Sequence, residues 1–165
     1  MTRLLGLDLG ERRIGLALGD DDGSLARPLS TIRRAADVAA DEGALRRVID
    51  AEGIEELVVG LPLEASGDEG PQARLTRAWA TAVGERIGIP VILRDERLSS
   101  HLAETRLGPM KRGRSGGPPS KTQRDAHRAR VDREAAAIIL QDELDTRAGL
   151  RSSMQGTPGS QESAR

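Results

Sequence analysis

The sequence predicts an α/β fold in which a mixed five-stranded sheet is flanked by helices. Three short apolar segments separated by polar turns open the chain, which is typical of an antiparallel meander. Segments with helical spacing then alternate with two further apolar strands, as in the crossovers that build parallel strands. We therefore expect an antiparallel half of the sheet from the first three strands and a parallel half from the last two.

The antiparallel half is predicted within the first 33 residues. Tight and polar turns join the predicted segments, so the first two strands should form a hairpin. Proline cannot donate a hydrogen bond to a neighbouring strand, so Pro28 places the third strand at the edge of the sheet. The strands are predicted at residues 3–9, 13–19 and 25–33, and the turns at residues 10–12 and 20–23.

Helices and strands alternate in the rest of the chain. The first helix is predicted from apolar side chains at helical spacing, including Val38, Leu45 and Ile49, and it ends at Gly53. The predicted elements are, in order, helix 35–52, strand 54–60, loop 61–70, helix 71–87, strand 89–94, a short helix at 99–107 and a final helix at 125–145.

Two segments are predicted to lack regular structure. Residues 108–121 contain four glycines, three prolines and four basic residues, which is typical of a mobile loop. Residues 148–165 are predicted to form a disordered C-terminal tail. The sequence thus predicts one folded domain at residues 1–147 followed by that tail.

The composition excludes several kinds of site. The chain has no cysteine, which excludes disulfides and thiolate metal sites. It has one tryptophan and no phenylalanine or tyrosine, so contacts with nucleic acid would depend mainly on Arg, Lys and backbone rather than on stacking. No segment approaches the ~18 apolar residues of a membrane span, and no signal-peptide pattern opens the chain. We expect a cytoplasmic protein without membrane contact.

Three carboxylates on three different elements are candidate metal ligands. Asp8 interrupts an apolar strand, where a charge is costly unless it is paired or binds metal. Glu96 follows a strand at its carboxyl end, where the sites of α/β proteins gather, and Asp95 is a competing candidate. Asp132 shares a helical face with the apolar Ala136, so we expect it to face the sheet.

Carboxylate oxygens on one sheet suit hard divalent cations such as Mg²⁺ or Mn²⁺. Two such ions ~4 Å apart can activate water and stabilise the leaving oxygen of a phosphodiester. Each carboxylate also has a purely structural alternative. These are a turn cap for Asp8, a surface ion pair with Arg97 for Glu96, and a favourable helix dipole for Asp132.

Basic charge is concentrated in and after the predicted loop. Residues 106–133 contain nine basic and two acidic residues, a net charge of +7, although the whole chain has a net charge of −1. A basic loop beside a carboxylate site fits capture of a phosphate backbone, and the alternative is a solubilising loop. The candidate nucleic-acid contacts in the loop are Lys111, Arg112, Arg114 and Lys121.

Four motifs in order carry a resemblance to a known family. They are Gly6–Ala17, Val58–Leu63 with Gly67, Asp95–Ser100, and Val131–Ala136 with Ile139–Gln141. Together they resemble the YqgF family, also called RuvX, of pre-16S rRNA nucleases and Holliday-junction-resolvase-like proteins. The resemblance spans about residues 3–145.

The resemblance implies an RNase H-like fold and a metal-dependent nuclease. It implies that Asp8, Glu96 and Asp132 are catalytic residues and ligands of two Mg²⁺ or Mn²⁺ ions. It also implies that Arg13 and Arg97 contact phosphate or order the site. The implied substrate is precursor 16S rRNA, trimmed at its 5′ end, or a branched DNA junction, which would need a symmetric dimer. Both a monomer and a homodimer are compatible with the sequence.

Two other classes of function share parts of this sequence pattern. A phosphotransferase of the actin–hexokinase type also has an Asp-x-Gly after a strand, as in Asp8–Gly10, but that architecture needs two lobes and this chain has room for one. A non-catalytic nucleic-acid-binding module would suit the basic loop. Three inward carboxylates do not suit it, since they repel phosphate unless metal is present.

Overall fold

Five strands and four helices make up the computed structural model, which describes residues 1–23, 25–110, 112 and 115–156. The strands are β1 (Arg3–Leu9), β2 (Arg13–Asp20), β3 (Arg27–Arg33), β4 (Glu56–Leu61) and β5 (Val91–Asp95). The helices are α1 (Val38–Glu52), α2 (Pro71–Ile87), α3 (Ser99–Leu107) and α4 (Lys121–Gln155).

The strands form one mixed sheet in the order β3-β2-β1-β4-β5. Strands β1, β2 and β3 pair antiparallel, whereas β1 pairs parallel with β4 and β4 with β5. The predicted mixed α/β sheet is therefore confirmed. Strand β3 lies at the edge, as Pro28 indicated, and the register of β2 shifts between Leu16 and Ala17 opposite this strand.

The side chains of β1 alternate between the two faces of this sheet. Leu5 and Leu7 belong to the core that α1 and α2 cover, together with Leu45 and Trp79. Leu4 packs on the opposite face, in the core beneath α4. Because side chains along a strand alternate, Asp8 shares the face that α4 covers.

Helix α4 approaches the sheet closely because the strand beneath it carries glycine. A Cβ atom at Gly15 would lie 2.1 Å from the backbone oxygen of Asp132, closer than atoms can approach. Gly15 is also the partner of Asp8 in the β1–β2 register. The absence of a side chain at Gly15 thus brings the backbone of Asp132 over the strand that flanks Asp8.

Helix α4 is longer than predicted at both ends. It begins at Lys121 rather than at 125, because Ser120 and Gln123 form a reciprocal capping box. It ends at Gln155 rather than at 145, so residues 148–155, which were predicted to be disordered, are helical. The rest of the predicted tail, residues 157–165, lies outside the described residues.

Ion pairs explain why the helix continues past residue 147. The Arg147 guanidinium pairs with Glu56 at the start of β4 and, at 2.8 Å, with Glu143 one turn earlier. One turn later Arg151 pairs with Asp21 at 2.9 Å. These contacts hold the last turns of α4 against the sheet. No helix in the described ranges has both the length and the apolar character needed to cross a membrane.

Candidate active site

The carboxyl groups of Asp8 and Glu96 meet at the carboxyl end of the parallel strands β1, β4 and β5. Asp8 is only 9% exposed and lies one residue before the end of β1. Glu96 directly follows β5, and its backbone N–H donates to the carbonyl of Leu61 at the end of β4. The two carboxyl groups interact directly: a hydrogen bond between them lowers the pKa of Asp8 and raises the pKa of Glu96.

Burial and mutual repulsion keep a proton on this pair. The pKa of Asp8 is raised to about 6, chiefly by burial; the hydrogen bond from Glu96 opposes this rise and the charge of Asp132 adds to it. The pKa of Glu96 is raised to about 9 by burial, by the charge and hydrogen bond of Asp8, and by the charge of Asp95. Two carboxylates this close do not both ionise near neutral pH unless a cation joins them.

One oxygen of Glu96 is buried without a hydrogen-bond donor. Its Oε2 atom accepts no hydrogen bond from the described part of the chain. The carboxyl group lies over Gly60 of β4, where an added Cβ would come 2.3 Å from that oxygen. Buried polar atoms are nearly always satisfied, so an unpartnered carboxyl oxygen needs an explanation such as an ion that it would bind.

The two neighbouring acids Asp95 and Glu96 have opposite environments. Asp95 is exposed and pairs with Arg97 at 2.8 Å, which lowers its pKa. Glu96 turns inward to Asp8, and its pKa rises. This geometry favours Glu96 over Asp95 as the member of a buried carboxylate site.

Asp132 approaches the pair from α4 and is held by an arginine. The Arg13 Nε donates to Asp132 Oδ2 at 2.9 Å, and both side chains are about one-quarter exposed. The negative charge of Asp132 is close enough to raise the pKa of Asp8. The structure thus brings all three predicted carboxylates to one place. In the ranges described, however, no three His, Asp or Glu side chains already surround a common point as metal ligands.

The predicted basic residues lie in different places. Arg13 and Lys121 line the same groove beside the carboxylates. Arg97 holds Asp95 and donates to the Ala65 carbonyl at 3.3 Å, so it connects the 61–70 loop to the end of β5. Arg112 is exposed. Lys111 and Arg114 lie outside the described residues.

Sequence reasoning missed the residues that make room for this site. Gly15 and Gly60 lie inside strands, where glycine often marks a close approach of another group, and that signal was present in the motifs. It also missed Arg33 and Arg34, which lie in the groove with Arg13 because β3 folds back beside β2. Their strand-end position in the sequence carried no signal.

Similar sequences come from one family. The family model described as "RuvX: Holliday junction resolvase" matches residues 2–146. A protein of Anaeromyxobacter dehalogenans (strain 2CP-C) is 45% identical over 146 residues, covering 88% of this chain and 98% of the relative. A protein of Chloroflexus aurantiacus (strain ATCC 29366 / DSM 635 / J-10-fl) is 40% identical over 144 residues, covering 87% of each. Both carry the name "Putative pre-16S rRNA nuclease".

Similar solved structures share the fold at low sequence identity. Thermus thermophilus RuvC in complex with a Holliday junction substrate is 14% identical, with a TM-score of 0.51 over 90% of this chain and 97% of that chain. The yeast mitochondrial Holliday junction resolvase Ydc2 is 13% identical, with a TM-score of 0.52 over 93% of this chain and 82% of that chain. The expected RNase H-like fold is therefore confirmed.

Proposed function

Because this chain belongs to the RuvX family, we propose that it is a metal-dependent nuclease that hydrolyses nucleic-acid phosphodiesters and matures the 5′ end of precursor 16S rRNA. The observation that carries the proposal is the buried Asp8–Glu96 carboxyl pair, with Asp132 beside it, at one edge of the sheet. The name shared by its relatives supports rRNA as the substrate. A cytoplasmic location goes with this role.

The residues at this edge fit divalent cations. The candidate ligands Asp8, Glu96 and Asp132 supply only carboxylate oxygens, which Mg²⁺ and Mn²⁺ prefer. The unpartnered Oε2 of Glu96 and the raised pKa values of the pair are what a site short of positive charge would display. When bound, two such ions would supply an activated water and stabilise the leaving oxygen.

The protein residues have distinct tasks in this proposal. Asp8 and Glu96 must release the proton that they share before both can act as ligands, so metal binding should strengthen as pH rises. Arg13 orients Asp132 through the 2.9 Å hydrogen bond. Arg97 orders the 61–70 loop at the rim of the site through Asp95 and the Ala65 carbonyl.

A second candidate is resolution of branched DNA. The family description favours it, as does the fold shared with a RuvC bound to a Holliday junction substrate and with the Holliday junction resolvase Ydc2. A junction is cut on two strands, whereas one chain contributes one set of these three carboxylates. This activity would therefore require a symmetric homodimer, and the rRNA activity would not.

Cleavage of two labelled substrates in Mg²⁺ or Mn²⁺ tests the proposal. The substrates are a precursor 16S rRNA 5′ fragment and a four-way DNA junction. Asp8→Asn and Glu96→Gln should abolish cutting. The matched controls Asp50→Asn and Glu85→Gln remove exposed carboxylates from α1 and α2 on the opposite side of the sheet and should cut normally.

Each outcome leads to a different conclusion. Metal-dependent cutting of the RNA fragment supports the first proposal, and preferred cutting of the junction by a dimer supports the second. Cleavage that persists in Asp8→Asn would show that Asp8 is not part of the active site. Metal-independent binding without cleavage would favour a non-catalytic nucleic-acid-binding module.

A further inference from the structure

A groove lined by cations opens beside the carboxylates, at the same end of the sheet's strands. Its volume is about 580 Å³. We call it the arginine groove, defined by Arg12, Arg13, Arg33, Arg34 and Lys121. Two carboxylates, Glu11 and Asp125, also line it, so cations outnumber anions by five to two.

The fold brings these cations together from three elements that are distant in sequence. Arg12 lies in the turn before β2 and Arg13 begins that strand. Arg33 ends β3 and Arg34 follows it, and α4 begins with Lys121. The backbone N–H of Arg34 donates to the Arg12 carbonyl at 2.9 Å, which closes the wall of the groove.

The side chain of Arg34 is held by contacts with other residues of the protein. Its Nη1 donates to the Gly10 carbonyl at 3.0 Å. Its Nε lies 4.0 Å from Asp41, which is 2% exposed and accepts a hydrogen bond from the Trp79 indole at 3.0 Å. Arg34 therefore acts as a structural support that sets the position of the β1–β2 turn, and with it the positions of Arg12 and Arg13.

The outward cations of the groove are not neutralised by the protein. Arg12, Arg33 and Lys121 are exposed, and none of them forms an ion pair with any residue that the structure describes. Exposed guanidinium groups bind phosphate through bidentate hydrogen bonds and are less strongly hydrated than ammonium groups. The available charge thus suits a ligand that carries several phosphates.

Arg13 joins the groove to the carboxylate site. It lines the groove, and its Nε donates to Asp132. The cleft on the other flank of the site, near β5, has a different character, because it is lined by Leu63, Ala65 and Leu98 around the Asp95–Arg97 pair. Only the arginine groove offers several unpaired cations among the described residues of the two flanks.

We propose that the arginine groove binds the phosphates of the substrate strand immediately to one side of the bond that is cut. This inference rests on the proposed nuclease function and adds the path that the strand takes, over the β1–β2 turn and the end of β3. Arg12, Arg33 and Lys121 contact the backbone, and Arg34 holds the turn. Since phosphates are shared by RNA and DNA, the groove provides affinity and register rather than base recognition.

Binding measurements can test the groove separately from catalysis. The probes are a fluorescein-labelled single-stranded RNA from the precursor 16S rRNA 5′ end and the DNA of the same sequence. Binding is titrated at several salt concentrations in the Asp8→Asn background, which prevents cleavage. The test variant is Arg12→Ala/Arg33→Ala. The matched control is Arg27→Ala/Arg47→Ala, which removes two exposed arginines, one at the far end of β3 and one on α1.

The double groove variant should bind on the order of tenfold more weakly, and its log K against log[salt] slope should be smaller by about 1.4, since each single-strand phosphate contact contributes ~0.7. The control should keep the parental affinity and slope. With Asp8 intact, the groove variant should raise KM with little change in kcat. Equal weakening of RNA and DNA would agree with recognition of phosphate alone.

Three results would overturn the inference, and they separate it from the proposed function. If the parent binds the probes but the groove variant keeps the same salt slope, the strand does not use this groove, although the nuclease proposal survives. If the control loses as much affinity as the test variant, the effect is one of overall charge. If the chain with Asp8 intact neither binds nor cuts either probe, the nuclease proposal fails as well, and the groove would serve another anionic partner.

Discussion

The carboxyl group of Glu96 lies where a side chain at Gly60 would be. A Cβ added at Gly60 would come 2.3 Å from Glu96 Oε2 and 2.5 Å from the Cδ1 of Ile139. In the parallel pairing of β1 with β4, Leu7 lies opposite Val59. The next residues along the two strands, Asp8 and Gly60, are therefore neighbours in the sheet. The missing side chain therefore makes the space in which Glu96 meets Asp8.

Gly60→Ala should displace the Glu96 carboxyl group and abolish or strongly reduce cleavage. Overpacking should also cost about 1–3 kcal/mol in the free energy of unfolding, because Ile139 must move. Cleavage rate and urea unfolding, followed by the fluorescence of Trp79, measure the two effects. Trp79 is the only tryptophan of the chain and is buried, so its emission reports unfolding.

Gly43→Ala is the matched control for this substitution. Gly43 lies within α1, and a Cβ there would meet nothing within 4 Å. Alanine is the better helix former by roughly 0.5–1 kcal/mol, so this variant should be as active as the parent and slightly more stable. If Gly60→Ala retained full activity, the close approach of Glu96 to β4 would have no catalytic importance.

The stability of the metal-free protein should fall as pH rises from about 4 to about 9. The folded-state pKa values of Asp8 and Glu96 are raised to about 6 and about 9, so the folded state holds protons that the unfolded chain releases. The stabilisation is complete below the ordinary pKa values and is lost as pH passes through the raised ones. Urea unfolding in EDTA at pH 5 and pH 8 measures this change.

Glu96→Gln identifies the group responsible for this pH dependence. In this variant the free energy of unfolding should fall much less as pH rises. It should also be higher than that of the parent at pH 8, because the amide cannot ionise. Glu85→Gln, which removes an exposed carboxylate from α2, should keep the decline. Identical pH profiles for the parent and Glu96→Gln would refute the view that this buried carboxyl pair holds a proton.

Arg13→Ala should lower kcat about tenfold or more by releasing Asp132, since misplacing a catalytic group by ~1 Å can cost about 10²-fold. The free energy of unfolding should change by at most about 1 kcal/mol, because the pair is partly exposed. Arg13→Lys should restore part of kcat, since lysine keeps the positive charge but lacks the planar guanidinium group with its fixed hydrogen-bond donors. A loss of activity that merely followed a loss of folded protein would contradict a positioning role.

Arg147→Ala should destabilise the protein by about 1–3 kcal/mol without changing the chemistry of the site. The substitution removes the ion-pair partner of Glu56. Among the described residues it leaves the buried Glu143 with Arg94 alone, at 3.5 Å. Urea unfolding measures the change, and Arg128→Ala, at an exposed position of the same helix, is the control. An Arg147→Ala variant as stable as the parent would mean that these ion pairs do not secure the end of α4.

Periodicity and turn residues predicted the elements well where local sequence determines them. Helix α2 has the predicted bounds, and the edge position of β3 followed from Pro28 alone. The start of α4 could also have been predicted, because Ser120 and Gln123 have the spacing of a capping box. Its end could not, since it depends on ion pairs of Arg147 with Glu56 in β4 and of Arg151 with Asp21 after β2, both distant in sequence.

The sequence predicted which carboxylates are candidates for the site, but not the contacts between them. A charge inside a buried strand pointed to Asp8, and a strand end pointed to Glu96 without deciding against Asp95. The choice depends on which carboxyl group turns inward, and only the three-dimensional arrangement provides that. The same holds for Arg33, whose place beside Arg13 results from the pairing of β2 with β3.

A calorimetric titration of Mn²⁺ into the parent, Asp8→Asn and Glu96→Gln at pH 7, in buffers of different ionisation enthalpy, shows whether Asp8 and Glu96 form the metal site. If Asp8 and Glu96 bind the metal, the parent should bind it with release of about one proton, the proton that the pair shares in the metal-free protein. Both variants should bind much more weakly, and Glu96→Gln, which has no carboxyl proton to lose at position 96, should bind without that release. Equal affinity and equal proton release in all three proteins would mean that the metal binds elsewhere and that Asp8 and Glu96 are not its ligands.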